Sequence, residues 1–121
     1  MPDDRKFLGR EGESAALEFL QTHGFKILET NFRTRAAEID MIAKDHETLC
    51  FIEVKTRRSI KKGLPKESVT PSKQHKIILG ASFYLKKHRL LESRIRFDVI
   101  EVFEKEGRFE FNLIKNAFQA G

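Results

Sequence analysis

The sequence predicts an α/β fold in the order α-β-β-β-α-β plus a terminal strand, a mixed β-sheet flanked by helices. Three observations predict it. Residues 4–23 and 70–88 carry apolar side chains at helical spacing, residues 25–57 read as one strand followed by a hairpin, and residues 95–113 alternate again on either side of Glu106-Gly107. At 121 residues and 40% hydrophobic, the chain has the length of a single domain, residues 1–121, able to bury a core of modest size.

The first helix starts with Asp3 or Asp4 as a cap and runs to about His23, where Gly24 supplies a left-handed stop. Glu13, Ala16, Leu17 and Leu20 fall at i, i+3, i+4 and i+7, so Glu13 lies on the core-facing stripe. That position reads two ways: a metal ligand or orienting carboxylate, or an edge residue reaching solvent. Gly9 and Gly12 are costly inside a helix, and close backbone approach to the sheet or to a ligand would explain them.

Phe25 to Thr34 reads as the first strand, ending in Arg33 and Arg35, which could contact phosphates or neutralise Glu38. The hairpin follows. On its first arm Glu38, Asp40 and Ile42 share one face and Ile39, Met41 and Ala43 the other; on its second, Leu49, Phe51, Glu53 and Lys55 oppose Cys50, Ile52 and Val54. Folding between His46 and Glu47 sets Asp40 opposite Glu53 and Glu38 opposite Lys55. Near the turn both faces are apolar, as in a strand covered on both sides, so the charged end emerges from a buried sheet. Facing carboxylates there repel and lose hydration unless something positive joins them, and Lys55 or a divalent cation would do so. Mg²⁺ takes one or two carboxylates, keeps several waters and is completed by phosphate oxygens, a demand that Asp40 and Glu53 fit.

After Lys55, residues 56–69 form a long loop with five Lys or Arg (Arg57, Arg58, Lys61, Lys62 and Lys66) against one acid, Glu67. It reads either as a clamp on a nucleic-acid backbone or as a solvated connector. Thr70 caps the second helix with Pro71 at its first position. Ile77, Ile78, Ala81 and Leu85 make its buried stripe, which Gln74 extends toward the site. Gln74 could orient water or phosphate, or make a capping hydrogen bond; Lys73 reads as a solvated charge that could also meet a phosphate at the positive helix end. Ile95, Phe97 and Val99, then Ile100 to Phe103, form the next strand, and Phe109, Phe111 and Leu113 the last. Asp98 reads as a partner of Arg96 and stays outside the catalytic set.

Asp40, twelve intervening residues and Glu53-Val54-Lys55 resemble the PD-(D/E)XK nuclease signature, with Ile39 in place of the named proline. More closely, Gly12-Glu13, Glu38-Ile39-Asp40, Phe51 to Arg57, Val69 to Gln74 and Arg96-Phe97-Asp98-Val99 resemble the YraN-like family of bacterial proteins, over nearly the whole chain. The resemblance implies a restriction-endonuclease-like core similar to archaeal Holliday-junction resolvases. It also implies Mg²⁺, with Mn²⁺ as a substitute, held by Asp40, Glu53 and the Val54 carbonyl, with Lys55 stabilising charge and Glu13 and Gln74 assisting. The activity expected is metal-dependent hydrolysis of DNA, branched or otherwise structured, by a chain that is dimeric like those resolvases. The alternative is a nucleic-acid- or ribosome-binding module with a vestigial site. On either reading Arg33, Arg35, Arg57, Arg58, Lys61, Lys62 and Lys73 are the expected nucleic-acid contacts.

A net charge of +5 and a pI near 9.5 suit a polyanionic partner, whether nucleic acid, the ribosome or an acidic protein. Cys50, the single cysteine, can form no intrachain disulfide and sits on an apolar strand face, as a core residue in a reducing compartment would. The sequence carries no HExxH, Cys/His cluster, Walker loop or dinucleotide fingerprint. It also shows neither a signal-like leader nor an 18-residue apolar run, and the expectation is a cytoplasmic protein off the membrane.

Overall fold

The computed structural model describes residues 4–57 and 69–120, with the backbone alone for residues 4–7. Helix α1 (Asp4–Thr22) leads to β1 (Lys26–Arg33), β2 (Glu38–Asp45) and β3 (Thr48–Arg57). Helix α2 (Pro71–Lys87), β4 (Ile95–Lys105) and β5 (Arg108–Phe118) complete the expected order. The five strands form one sheet in sequential order, antiparallel except where β3 runs parallel to β4. The parallel step needs a long connection, and α2 lies within it.

Local chemistry sets the boundaries. Gly24 takes a φ of 90°, its N–H bonds the Gln21 carbonyl at 3.1 Å, and the N–H of Phe25 reaches back to Leu20 at 3.0 Å. This left-handed cap stops α1 where the glycine predicts and buries Phe25 in one cluster with Leu20. Asp3, one of the two expected caps, lies outside the described residues, and Asp4 is the first residue of the helix. The β2–β3 and β4–β5 turns are two residues long. His46, first in the β2–β3 turn, takes a φ of 56°, while Glu106 and Gly107 both have positive φ, as a type I′ turn requires.

Each face of the sheet is covered. Ala16 and Leu20 of α1 pack with Met41, Ala43, Cys50, Ile52, Ile100 and Val102. On the other face Ile77, Ala81, Tyr84 and Leu85 of α2 pack with Ile42, Leu49, Phe51, Phe97 and Val99. Aromatic contacts order that second layer: Tyr84 meets Phe32 and Phe51 edge-on, with ring centroids 5.3 and 5.9 Å apart. The expected alternation fails at Ile39, which joins the α2 cluster rather than the face of Met41 and Ala43. The cause lies one residue on. The regular β2–β3 pairing reaches Met41 opposite Ile52, and beyond it Oδ2 of Asp40 accepts the Val54 N–H at 2.8 Å, so a side chain replaces the backbone ladder.

On the α1 face of the sheet, Asp98 on β4, opposite Ile52 of β3, is fully buried and fully paired. Nε of Arg96 donates to its two oxygens at 2.8 and 3.1 Å, and the Asn116 N–H adds a bond of 2.9 Å. Arg96 also reaches Asp45 at 2.9 Å, where Lys115 joins at 3.1 Å, so the network ties β2, β4 and β5 together. Burial first, then the charge of Asp98, pushes the Cys50 thiol up to about 12, which makes it a core residue and no nucleophile.

Gly12 marks the closest approach of α1 to β3, since a Cβ there would lie 2.7 Å from the Thr56 methyl and overlap its hydroxyl, whereas one at Gly9 would meet nothing within 4 Å. Gly9→Ala should therefore stabilise by up to about 1 kcal/mol through helix propensity. Gly12→Ala should instead cost about 1–3 kcal/mol from overpacking, several degrees in a domain of this size. Thermal denaturation of the two variants checks this; equal gains would mean that α1 does not press on Thr56.

Candidate functional site

The apolar interior of β3 gives way at Glu53, which keeps only 4% of its surface exposed, and the strand then continues through Val54 and Lys55 to its charged end. Asp40 and Glu53 face a cavity of about 360 Å³ between the sheet and the N-terminus of α2. Glu38 borders it on the strand side, and Thr70, Ser72, Lys73 and Lys76 on the helix side. Two local devices build the walls. The Thr34 hydroxyl accepts the N–H groups of Ala36 and Ala37 at 3.1 Å, holding the β1–β2 turn so that two small residues border the cavity. The Thr70 hydroxyl accepts the Lys73 N–H at 3.2 Å with Pro71 in the first turn, which starts α2 beside Glu53.

The electrostatics are those of a crowded acid pair. Burial, then a hydrogen bond and repulsion from Glu53, raises Asp40 to about 8, with Glu13 adding a smaller push; the Val54 N–H pulls the other way. Asp40 therefore holds its proton well above the usual carboxylate range. Lys73 sits directly on Oε2 of Glu53, and Lys55 lies 4.0 Å from the same oxygen. The two lysines titrate in opposite directions. Burial, then the charge of Lys73, lowers Lys55; burial is also the largest single influence on Lys73 and would lower it, but the hydrogen bond and charge of Glu53 together with the charge of Asp40 raise it.

Among the described residues no group of three or more His, Cys, Asp or Glu converges closely enough to hold a metal ion. Asp40 and Glu53 nevertheless fit Mg²⁺, which asks for only one or two carboxylates and completes its shell with water and substrate oxygens. The raised proton affinity of Asp40 and the lysine on Glu53 mark a place where positive charge is wanted. The backbone of Val54 lies beside them, its N–H already tied to Asp40.

The structure brings Asp40, Glu53, Lys55 and Lys73 together and sets other expected residues apart. Glu13 sits on α1, which covers the opposite face of the sheet; its Oε1 meets the Asn31 amide at 3.5 Å, and it reaches Asp40 only as a nearby charge. Gln74 does not face the cavity: its amide donates to the Val69 carbonyl at 3.0 Å, so it makes the capping bond and ties the incoming chain to α2. Lys73, read from the sequence as a solvated charge, is instead the partner of a buried acid. Glu38, expected across from Lys55, pairs with Arg33 at 2.6 Å. Arg57 lies 3.6 Å from Glu101, Arg35 is exposed, and Arg58, Lys61 and Lys62 lie outside the described residues. Thr70, Ser72 and Lys76 complete the helix wall, and the signal that could have found them is the Thr-Pro cap, which fixes where the first turn of α2 points.

A larger groove of about 700 Å³ lies at the far end of the sheet, lined by Lys26, Leu28, Lys44 and Arg94 among others. Glu47 is the one carboxylate there, so it lacks a facing acid pair. Among the described residues no helix is long and apolar enough to cross a membrane.

The raised pKa of Asp40 has a definite sign. A carboxyl that binds its proton more tightly when folded contributes stability below its unfolded pKa, near 4, and loses it as pH rises through the folded value of about 8. Asp40→Asn keeps an oxygen for the Val54 N–H and lacks that loss. In EDTA its melting temperature should pull ahead of the wild type as pH goes from 5 to 8.5, and a gap that does not widen would show that Asp40 ionises freely.

Comparison with known proteins agrees with the motifs. Residues 12–102 match the uncharacterised protein family UPF0102. A UPF0102 protein of Desulforapulum autotrophicum is 50% identical over 119 residues, covering 98% of each chain. One from Chlorobium phaeobacteroides strain DSM 266 is 44% identical over 126 residues, covering 99% of each, and one from strain BS1 is 51% identical over 117, covering 92% of this chain and 93% of the other. The match spans α1 through most of β4 and includes Asp40, Glu53, Lys55 and Lys73. The chain therefore belongs to the UPF0102 family, which its motifs identify as YraN-like.

Proposed function

We propose that this protein is a Mg²⁺-dependent endonuclease that hydrolyses phosphodiester bonds in DNA. One observation carries the reading: two neighbouring carboxyls, one of them almost wholly buried, border a cavity whose other wall is lysines and a helix N-terminus. Structural acids are normally neutralised by fixed partners, as Asp98 is here. A crowded acid pair opening onto a cavity is the arrangement expected of a functional site.

Asp40 and Glu53 would hold the metal, with the Val54 carbonyl completing the protein's share. Bound there, Mg²⁺ would supply a water of lowered pKa and offset charge on the phosphoryl group. The chain's own residues do the rest. Lys55, partly buried and pressed by Lys73, meets negative charge as water adds to phosphorus and the ester oxygen leaves. The hydroxyls of Thr70 and Ser72 and the ammonium of Lys76 face the same space and suit the non-bridging oxygens. Arg35, and Arg33 and Arg57 when released from Glu38 and Glu101, would meet the backbone of the bound strand, and Arg58, Lys61 and Lys62, outside the described residues, are further candidates from the sequence. Gln74 contributes by fixing Val69 against α2, and Glu13 by its charge. A buried, unpaired Cys50 suits the reducing cytoplasm, where DNA is at hand.

A panel of labelled single-stranded, duplex, nicked and branched DNA, with an RNA control, tests the reading in Mg²⁺ and Mn²⁺ beside Glu53→Ala. Cleavage by the wild type and none by the variant is expected. Lys55→Ala should slow single-turnover cleavage about a hundredfold or more, while affinity measured in Ca²⁺ changes little. If the wild type binds nucleic acid tightly but cuts nothing on the panel, the protein is a binding module that retains the outline of a nuclease site.

A further inference from the structure

We propose that Lys73 is the site's internal counter-ion, exchanged for the divalent cation, and that the exchange hands its ammonium to a substrate phosphate and so couples cation binding to nucleic-acid binding. The proposal rests on the reading that Asp40 and Glu53 hold the cation.

Glu53 is 4% exposed and carries its charge inside a sheet whose adjoining residues are apolar, so in the absence of a cation it needs a partner. Two lysines offer one, and they differ. Lys55 lies 4.0 Å away on Glu53's own strand, fixed by the pleat, whereas Lys73 is in direct contact and enters from α2. The Lys73 side chain is 44% exposed, on the first turn of a 17-residue helix beside Thr70 and Ser72. An ammonium on a flexible stem changes partners at little cost, unlike an arginine fork.

A divalent cation on Asp40 and Glu53 would repel the ammonium that sits on Glu53. Lys73 would not have far to go. The positive end of α2 borders the same cavity, where an anion is already favoured. A phosphate oxygen there would meet Lys73 as soon as Glu53 releases it. The two ligands would then assist each other, and by linkage the factor must be the same in both directions.

The test uses the full chain and compares wild type with Lys73→Gln, whose amide can still hydrogen-bond Glu53, and Lys73→Arg, which keeps the charge. Calorimetric titration with Mn²⁺ alone should show Lys73→Gln binding about three- to tenfold more tightly than wild type, with Lys73→Arg close to wild type. Anisotropy of a labelled DNA duplex should show Ca²⁺ raising wild-type affinity by about fivefold or more, in the usual range of allosteric coupling, and that ratio falling toward one in Lys73→Gln. A third measurement needs no variant of Lys73. Acetylation of Lys73 by acetic anhydride, read by mass spectrometry, should rise when Mn²⁺ is added to wild type and stay flat in Glu53→Gln. Should Lys73→Gln fail to fold, that acetylation result decides. Unchanged or weaker Mn²⁺ binding in folded Lys73→Gln, or acetylation indifferent to Mn²⁺, overturns the counter-ion role and leaves the metal-site reading standing. If Mn²⁺ binds wild type and Asp40→Asn equally, or neither, the metal-site reading fails and this proposal goes with it.

Discussion

Glu53 sits where β3 passes from apolar core to charged terminus, and keeping a carboxylate at 4% exposure there constrains everything around it. Its charge is met by Lys73, which can reach it only if α2 begins beside the strand, and α2 begins there because the Thr70 hydroxyl caps the Lys73 N–H. Across β2 the same acid is met by Asp40, which gives up its freedom to ionise and takes the Val54 N–H. That bond ends the backbone ladder at Met41 and frees Ile39 to pack toward α2. Behind the sheet, the bare backbone of Gly12 lets α1 lie against Thr56, closing the other face of the same strand end. Sheet irregularity, helix placement and glycine thus follow from one buried charge.

The hairpin was legible because strand alternation and a two-residue turn leave little freedom. With Asp45 opposite Thr48, the pairs are set as far as Met41 opposite Ile52, as folding at His46-Glu47 requires, and the expected register stops there. The fold order and the left-handed stop at Gly24 were legible for similar local reasons. Lys73 was not, because the apolar stripe of α2 was drawn through Ile77, Ile78, Ala81 and Leu85, which points Gln74 inward. The buried residues are Ile77, Gly80, Ala81, Tyr84 and Leu85, a stripe rotated toward Gly80 and Tyr84. Extended one turn back from Ile77, Gly80 and Tyr84, that stripe arrives at Lys73. A glycine and a tyrosine do not register as core from hydropathy, and a lysine still less, so the signal was present but carried by residue types that a hydrophobic pattern discounts.

Glu13 illustrates a different limit. Its place on the apolar stripe of α1 was read correctly, since Ala16 and Leu20 are fully buried, but a helical stripe does not say which face of the sheet it covers. α1 covers the face opposite Asp40 and Glu53, so Glu13 meets Asn31 at the sheet's margin and acts on Asp40 through charge alone. Likewise Arg33 stands near the acids as expected, yet a cross-strand carboxylate, Glu38, is closer to it than the cavity is.

Membership of UPF0102 names no reaction, so the choice of site rests on physical contrast, and the chain provides one. Asp98 and Glu53 are its two buried carboxylates among the described residues. Asp98 is held by an arginine fork and a backbone N–H, with Arg96 itself anchored on Asp45 and raised well above its ordinary value by that hydrogen bonding. Every partner is rigid, and nothing is left for a ligand to do. Glu53 is held by two partly exposed lysines on flexible stems and neighbours Asp40, whose carboxyl holds its proton above the usual range. A fold that only needed to bury Glu53 could have closed it as it closed Asp98. Lysines at an open cavity on one face of the sheet and a closed arginine fork on the other are what separate the candidate site from a network that holds strands together.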